Sequence, residues 1–263
     1  MDSNTNIETY TWEDRTRVES HPQLEIGALH IWHRAVVPGD SDLESLYDVL
    51  SEDERTRAGR FAFEDHRSEF ILSRGTLRVL LASYLGTRPD QLRFVYSTHG
   101  KPSLSQALSN FDLRFNVSHS GRKAVFAFVR GFEIGVDIEE IRADVDTREL
   151  AERLFSAREM EQLSTLTGES LHSAFFRCWT RKEAFIKAKG QGLSIPLREF
   201  DVSLLENEPA ALLGTRPDPL EASRWSLHDL VFEVNYAGAL AVERAVFRQP
   251  ELSRERSVQH CRK

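Results

Sequence analysis

Two carboxylates stand one residue apart in a segment with the alternating pattern of a β-strand. In residues 134–139 the isoleucine and valine side chains share one face, so Asp137 and Glu139 lie side by side on the other. Repulsion between adjacent like charges is commonly relieved by a hard cation with oxygen ligands. A divalent-cation site is therefore one interpretation of this strand, and a solvated polar face is the other.

A carboxylate and an amine recur at helical spacing further along the chain. Trp179, Glu183 and Lys187 are separated by intervals of four, so they form one stripe on a helix predicted over residues 174–189. An exposed Glu–Lys pair would contribute only about 0.3 to 0.5 kcal/mol. The segment is rich in phenylalanine, however, which predicts a partly buried helix. Glu183 and Lys187 then need charged or polar partners.

Serine and histidine side chains follow a third patterned segment. Residues 111–117 alternate between apolar and polar, which predicts a half-buried strand that delivers Ser118, His119 and Ser120 to a turn. A Ser-His-Asp hydrolase built from Ser118, His119 and Asp137 is one alternative. We disfavour it, because the sequence has no Gly-x-Ser-x-Gly elbow and adjacent Ser and His on a turn rarely align for proton transfer.

The charge balance limits what these residues can bind. The 263-residue chain carries a net charge of −7, and its pI of about 5.8 argues against general nucleic-acid binding. An anionic ligand must therefore meet a local basic patch. One candidate is the arginine-rich stretch formed by Arg57, Arg60, Arg67 and Arg74, although arginines are also common on solvated helix faces.

Cysteine usage and hydropathy bear on the compartment. Cys178 lies in an apolar stretch and Cys261 in a polar tail, so no disulfide framework is apparent and a reduced, cytoplasmic setting is expected. Residues 1–19 lack the basic start and apolar run of a signal peptide, and the chain has no run of about 18 apolar residues. We therefore expect no membrane partner.

A similar order of segments recurs 105 residues later, which predicts two related α/β halves. Capping boxes are expected at Ser51 with Glu54 and at Ser156 with Glu159, and each precedes an aromatic-containing helix, a glycine and a strand. Chance similarity of common helix-loop-strand units is the alternative. The predicted units are a flexible leader (1–23), an N-terminal half (24–133), a C-terminal half with the chemical motifs (134–248) and a flexible tail (249–263).

Three motifs resemble, in order and spacing, the signatures of Sfp-type 4′-phosphopantetheinyl transferases. They are Phe115-Asn-Val-Ser-His-Ser-Gly121, Gly135-Val-Asp-Ile-Glu139 and Trp179-Thr-Arg-Lys-Glu-Ala-Phe-Ile-Lys187, and Gly100-Lys101-Pro102 also matches. Three motifs in order are far less expected by chance than any one. The resemblance implies an α/β (α+β) fold of two pseudo-twofold-related halves, each a small, mainly antiparallel sheet packed on helices.

The resemblance also implies an activity and a metal. Such enzymes transfer the phosphopantetheine arm of coenzyme A to a serine of an apo carrier protein and release adenosine 3′,5′-bisphosphate. By position, Asp137, Glu139 and Glu183 would hold Mg²⁺ against the pyrophosphate, and Lys187 and His119 would complete the catalytic group. The serine proton could pass to Glu183 or to a metal-bound water, and the sequence leaves both open.

Contacts to coenzyme A are implied in the same way. The resemblance places Arg57, Lys101, Pro102, Ser118, His119 and Lys187 against the cofactor. Arg57 and Lys101 are the first candidates for its non-reacting phosphates. Glu54 stands where relatives often have a basic residue, so which arginines meet the 3′-phosphate is left open.

A noncatalytic module that binds carrier proteins is the other class considered. Such a module would not need all three carboxylates, and all three are present. Because both halves lie on one chain, a monomer is expected, with a carrier protein and coenzyme A as partners and no nucleic acid. The pathway of the carrier, whether fatty-acid, polyketide, nonribosomal-peptide or lysine, is left open, as is the use of acyl-coenzyme A.

Overall fold

One order of secondary-structure elements occurs twice in the chain. The structure is a computed structural model that describes residues 6–13, 18, 22–105 and 112–244, with Leu193 described by its backbone alone. Within these residues no helix is both long and apolar enough to cross a membrane.

The N-terminal copy follows a short edge strand. In chain order the elements are β1 (Ile7–Thr11), β2 (Leu29–Ala35), α1 (Leu43–Asp48), α2 (Glu52–Ala58), α3 (Glu64–Leu85), β3 (Phe94–Tyr96), β4 (Pro102–Leu104), β5 (Leu113–Ser120) and β6 (Lys123–Arg130). A 3₁₀ turn at Pro89–Gln91 links α3 to β3.

The C-terminal copy repeats that order from strand to strand. Its elements are β7 (Ile134–Glu140), α4 (Thr147–Leu154), α5 (Ala157–Ser164), α6 (Gly168–Lys189), β8 (Phe200–Val202), β9 (Leu212–Thr215), β10 (Trp225–Asp229) and β11 (Tyr236–Glu243). A 3₁₀ turn at Leu197–Glu199 precedes β8.

The sheets of the two copies are paired alike. β2 runs antiparallel to β6, and β7 runs antiparallel to β11. The main sheets have the strand orders β1-β2-β6-β5 and β10-β11-β7, while β3 pairs with β4 and β8 with β9 in two separate ribbons. These small, mainly antiparallel sheets packed on helices confirm the predicted fold class.

The helices carry the same signals in both copies. Helices α3 and α6 each span 22 residues and end at a glycine with left-handed backbone, Gly86 and Gly190. Helices α2 and α5 begin with the predicted capping boxes. In these, the backbone nitrogens of Ser51 and Ser156 donate to the side chains of Glu54 and Glu159, at 3.1 and 2.9 Å.

The buried apolar side chains of the described residues form three hydrophobic cores. One lies under α3, one surrounds α6, and the third lies between the two main sheets. The third core takes one face of β7, because Ile134, Val136 and Ile138 are fully buried there against residues of β2, β6 and β11. The alternation predicted for β7 is therefore confirmed, and its other face is turned toward α6.

The described part of the leader predicted over 1–23 contains a strand. Residues 7–11 form β1 and pair in parallel with β2, and Trp12 is buried, with its indole nitrogen donating to Asp42 at 2.7 Å. The aromatic side chains of this segment supply the apolar area that orders it. The tail over 249–263 lies outside the described residues, and the boundary between residues 133 and 134 stays a prediction.

Candidate functional site

The two copies meet where strands β5 and β7 lie side by side without a backbone ladder. Three polar side chains of β5, which we call the polar row, bridge the gap: Asn116, Ser118 and Ser120. Their oxygens accept from the backbone nitrogens of Val136, Ile138 and Glu140 at 2.9, 3.4 and 3.1 Å. The alternation of the motif at Phe115–Gly121 thus supplies hydrogen-bond partners that a neighbouring strand would otherwise provide.

Helix α6 lies against the other face of β7 at very short range. A Cβ atom on Gly135 would come within 2.1 Å of the Ala184 carbonyl oxygen and 2.2 Å of the Ala188 nitrogen. Only glycine allows this approach without displacing the helix backbone. The glycine of the motif Gly135–Glu139 therefore sets how close the helix with Glu183 and Lys187 lies to the strand with Asp137.

Asp137 is the buried centre of the site. Its side chain is 3% exposed, and Oδ1 accepts from Lys187 Nζ at 2.6 Å and from Ser118 Oγ at 2.9 Å. Its other oxygen, Oδ2, is buried with no hydrogen-bond partner among the described residues. Burial raises the pKa of Asp137 above its ordinary value, and Lys187 opposes that rise.

Glu183 and Glu139 add two further carboxylates beside Asp137. Burial raises the pKa of Glu183 from 4.5 to about 7, and the charges of Asp137 and Glu139 act in the same direction against the opposing Lys187. Glu139 accepts a hydrogen bond from Ser120 Oγ at 2.7 Å. The three carboxylates therefore repel one another in a partly dry site.

The donor set fits a hard divalent cation. Among residues 6–13, 18, 22–105 and 112–244, no three His, Cys, Asp or Glu side chains stand ready-made in a metal-binding arrangement. The site nonetheless has an unpartnered carboxylate oxygen on Asp137 and raised carboxyl pKa values to which charge repulsion contributes. A cation with oxygen ligands would relieve both, and the absence of histidine or cysteine beside these described carboxylates disfavours zinc.

The predicted stripe on α6 is the half-exposed edge of a buried helix. Trp179, Glu183 and Lys187 are partly exposed, whereas their neighbours Cys178, Lys182 and Ile186 are buried. Glu183 and Lys187 face the Asp137 carboxylate. Trp179 lies farther along the helix and stacks on Phe175 at 6.3 Å between ring centres.

A cavity of about 470 Å³ lies on the N-terminal side of β5. It contains three of the residues predicted to contact the cofactor: Arg57, Pro102 and His119. Val117 and His119 line it because they point away from the polar row, on the opposite face of the same strand. Strand β5 therefore contributes Ser118 to the carboxylate site and His119 to the cavity.

His119 does not belong to a hydrolase triad. Its side chain is 56% exposed, and Nδ1 lies 2.7 Å from Glu69 Oε1. Ser118 instead bonds Asp137 and Lys187 on the other side of the strand. The geometry thus removes the Ser-His-Asp alternative, because serine and histidine face opposite ways.

Lys101 does not line that cavity, and its contact with a phosphate stays a prediction. Its Nζ donates to the backbone oxygens of Ala188 and Ile134 at 3.0 and 3.3 Å and lies 3.3 Å from Glu133 Oε2. Burial lowers the pKa of Lys101. The ammonium of Lys101 therefore ties the end of α6 and the start of β7 to strand β4 of the other copy.

The residues of the arginine-rich stretch differ in whether they line the cavity. Arg57 lies over the Phe70 ring at 5.0 Å and lines the cavity with Arg74. Three buried polar atoms of described α3 residues have no hydrogen-bond partner: Arg74 Nη1 and Ser73 Oγ, on the cavity-lining face, and Arg67 Nε about two turns earlier. Arg60 is exposed. Arg74, which belongs to the predicted arginine-rich stretch, and Ser73, which no local pattern distinguishes from its neighbours, join Arg57 as candidate anion-binding groups.

Comparisons with known proteins agree with this arrangement. A model of the 4′-phosphopantetheinyl transferase superfamily matches residues 133–241, and a model of the N-terminal part of such transferases matches residues 34–130. The 4′-phosphopantetheinyl transferase HetI of Nostoc sp. is 40% identical over 81% of this chain and 87% of its own. The transferase Sfp of Bacillus subtilis is 31% identical over 61% of this chain and 69% of its own.

Similarity to solved structures is weaker. The complex of an ACPS with CoA from Chronobacterium ammoniagenes is 22% identical, with a TM-score of 0.32, and covers 44% of this chain and 98% of that one.

The raised pKa of Glu183 predicts a pH dependence of stability without metal. Between pH 4.5 and about 7 the native carboxyl holds a proton that the unfolded chain releases. The contribution of Glu183 to the free energy of unfolding is therefore fully present below pH 4.5 and is lost as pH rises through about 7. In EDTA, urea denaturation at pH 5 and 7.5 should show a smaller fall in stability for Glu183→Gln than for wild type. Equal falls would contradict the burial and repulsion assigned to Glu183.

Proposed function

Because this chain belongs to the Sfp-type 4′-phosphopantetheinyl transferase family, we propose that it transfers the phosphopantetheine arm of coenzyme A to a serine of an apo carrier protein. The serine hydroxyl loses its proton to Glu183 or to water, its oxygen forms a bond to phosphorus, the P–O bond of the pyrophosphate breaks, and adenosine 3′,5′-bisphosphate leaves. One observation carries the proposal: the three carboxylates and Lys187 converge on one side of β5, and a cavity with arginine and histidine side chains opens on the other.

Asp137, Glu139 and Glu183 are the proposed ligands of Mg²⁺. Bound there, the ion would neutralise negative charge on the pyrophosphate and on the leaving bisphosphate. The unpartnered Oδ2 of Asp137 and the mutual repulsion of the carboxylates support this assignment. Ser118 and Ser120 hold Asp137 and Glu139 in place from the polar row.

The phosphates of coenzyme A would lie between Lys187 and the arginines of the cavity. Lys187 stands at the carboxylate site, one helical turn from Glu183, whereas His119, Arg57 and Arg74 line the cavity. Unpartnered buried donors gain most from an anion, because no water already satisfies them. We therefore place the reacting phosphates near Lys187 and the 3′-phosphate in the cavity.

The chain is proposed to work as a monomer. The metal ligands and the cavity both come from this one chain, with Asp137, Glu139 and Glu183 in the C-terminal copy and Arg57 in the N-terminal copy. No second copy is needed to complete either one.

The transfer itself is the first prediction. The purified protein, incubated with coenzyme A, Mg²⁺ and an apo acyl or peptidyl carrier protein, should add the mass of one phosphopantetheine arm to the carrier. EDTA should stop the reaction, because the pyrophosphate would keep its full charge. Mass spectrometry of the intact carrier measures both results. An unchanged carrier mass with several carriers would refute the activity, and an EDTA-resistant reaction would refute the metal.

Removal of a metal ligand is expected to lower turnover far more than stability. Asp137→Ala and Glu183→Ala should each lower kcat by at least about 10²-fold, because transition-state charge stabilisation is lost. Glu139→Ala should be milder, since water can replace one ligand of Mg²⁺. Glu140→Ala is the matched control on the same strand. Circular dichroism verifies folding, and near-normal kcat in Asp137→Ala or Glu183→Ala would exclude this site.

Arg57 is predicted to bind the 3′-phosphate of coenzyme A. Arg57→Ala should raise KM for coenzyme A more than it lowers kcat, because the group it holds does not react. Dephospho-coenzyme A lacks the 3′-phosphate, so wild type and Arg57→Ala should use it about equally well. Arg60→Ala is the control, since Arg60 is exposed like Arg57 but lies outside the cavity lining. Equal losses with both substrates would show that Arg57 is not a phosphate contact.

A further inference from the structure

A fully buried ion pair lies one residue away from the candidate metal ligand Glu183. Lys182 and Glu159 are both 0% exposed, and Lys182 Nζ lies 2.8 Å from Glu159 Oε1. The ammonium also donates to the backbone oxygens of Leu197 and Phe200 at 2.7 and 2.6 Å and lies 4.2 Å from the centre of the Phe200 ring. All three donors of Lys182 are therefore used.

The carboxylate of this pair is also fully engaged. Glu159 Oε2 accepts from the Ser156 nitrogen at 2.9 Å, and Oε1 accepts from the Val202 nitrogen at 2.9 Å. The pair thus joins the start of α5, the middle of α6, the 3₁₀ turn at Leu197–Glu199 and strand β8. Because each connection is directional, the pair fixes the position of α6 relative to three other elements.

The N-terminal copy contains the same construction with an arginine. Arg78 Nε lies 2.5 Å from Glu54 Oε2, and both side chains are buried. Arg78 Nη1 donates to the backbone oxygens of Pro89 and Leu92 at 2.7 and 3.3 Å, and its guanidinium lies 5.2 Å from the Phe94 ring. In both copies the carboxylate belongs to a capping box and the cation to the long helix.

The two pairs differ in the next residue of the helix after the cation. Arg78 is succeeded by Val79, whereas Lys182 is succeeded by Glu183. Consecutive helix residues point about 100° apart, so fixing the direction of Lys182 also fixes the direction of Glu183. The Gly135 contact sets the distance between α6 and β7. The rotation of α6 about its axis is restrained by directional bonds, those of Lys182 and, one residue earlier, those of Arg181.

We propose that the Lys182–Glu159 pair positions Glu183, by setting the rotation of α6 so that this carboxylate faces Asp137 and Glu139. The inference rests on the proposed function, because it concerns the metal site assigned there. Lys182 and Glu159 are positioning residues, because both are fully buried and act on the metal site only through α6. Residues that orient a metal ligand typically change metal affinity or activity by about 10- to 100-fold.

A gain in folding stability alone does not explain why a buried ion pair occupies this position. A buried ion pair replaced by apolar side chains of similar volume often leaves a protein equally or more stable, whereas loss of one partner is strongly destabilising. The double variant Glu159→Met/Lys182→Met should therefore fold while losing the directional bonds. Its matched control is Glu54→Met/Arg78→Met in the other copy, and Glu159→Gln and Glu54→Gln form a second matched pair.

The test measures metal affinity without turnover. Mn²⁺, as a paramagnetic substitute for Mg²⁺, is titrated into each folded variant without coenzyme A or carrier protein, and free Mn²⁺ is followed by electron paramagnetic resonance. We expect the Glu159/Lys182 variant to bind Mn²⁺ about 10-fold more weakly or worse. The Glu54/Arg78 variant should bind it like wild type. In transfer assays the first variant should lower kcat with little change in KM for coenzyme A.

Each outcome decides the proposal. Equal Mn²⁺ affinities in the two double variants would overturn it, as would a loss of stability with unchanged affinity. Should a double variant fail to fold, the glutamine pair decides by the same criterion. If wild type binds Mn²⁺ but transfers nothing, the proposed function fails while the positioning inference can still be judged from the affinities.

Discussion

The arrangement of the molecule depends on two neighbouring strands that share no backbone ladder. The buried nitrogens of Val136 and Ile138 need acceptors, and the polar row of β5 supplies them through an amide and a hydroxyl. The same hydroxyl, on Ser118, also holds Asp137 and receives Lys187. One set of hydrogen bonds therefore both joins the two copies and orients the Asp137 carboxylate. A change in how the copies are joined also changes the orientation of that carboxylate.

The two copies share a frame but differ in what it carries. The residue 105 positions before Asp137 is Trp32, whose indole nitrogen donates to Tyr84 at 2.8 Å in a buried cluster. Glu139 corresponds to Arg34, which is buried and lies 2.6 Å from Asp40. At these two positions the N-terminal copy has a packed aromatic side chain and a paired cation. The C-terminal copy has carboxylates that repel one another at the same two positions. This contrast supports a chemical rather than a structural role for the carboxylates.

Local sequence patterns were sufficient to predict the strand and the helix that carry the carboxylates. They did not predict the bonds of side chains whose partners are distant in sequence. The alternation of β7 and the four-residue spacing on α6 predicted which side chains share a face. The bonds of Lys101 were not predicted, because its partners are backbone oxygens of the other copy, which a sequence does not display. The capping box at Glu54 was predicted, but its bond to Arg78 was missed for a similar reason, since Arg78 lies 24 residues away on another helix.

Strand β5 separates two environments through residue parity. Asn116, Ser118 and Ser120 face β7, while Val117 and His119 face the cavity. Since side chains alternate along a strand, a single inserted or deleted residue within β5 would exchange the two sets, burying His119 among carboxylates and exposing serines to the cavity. The length of this segment is consequently as constrained as its composition. We expect insertions and deletions to be tolerated only outside Leu113–Ser120.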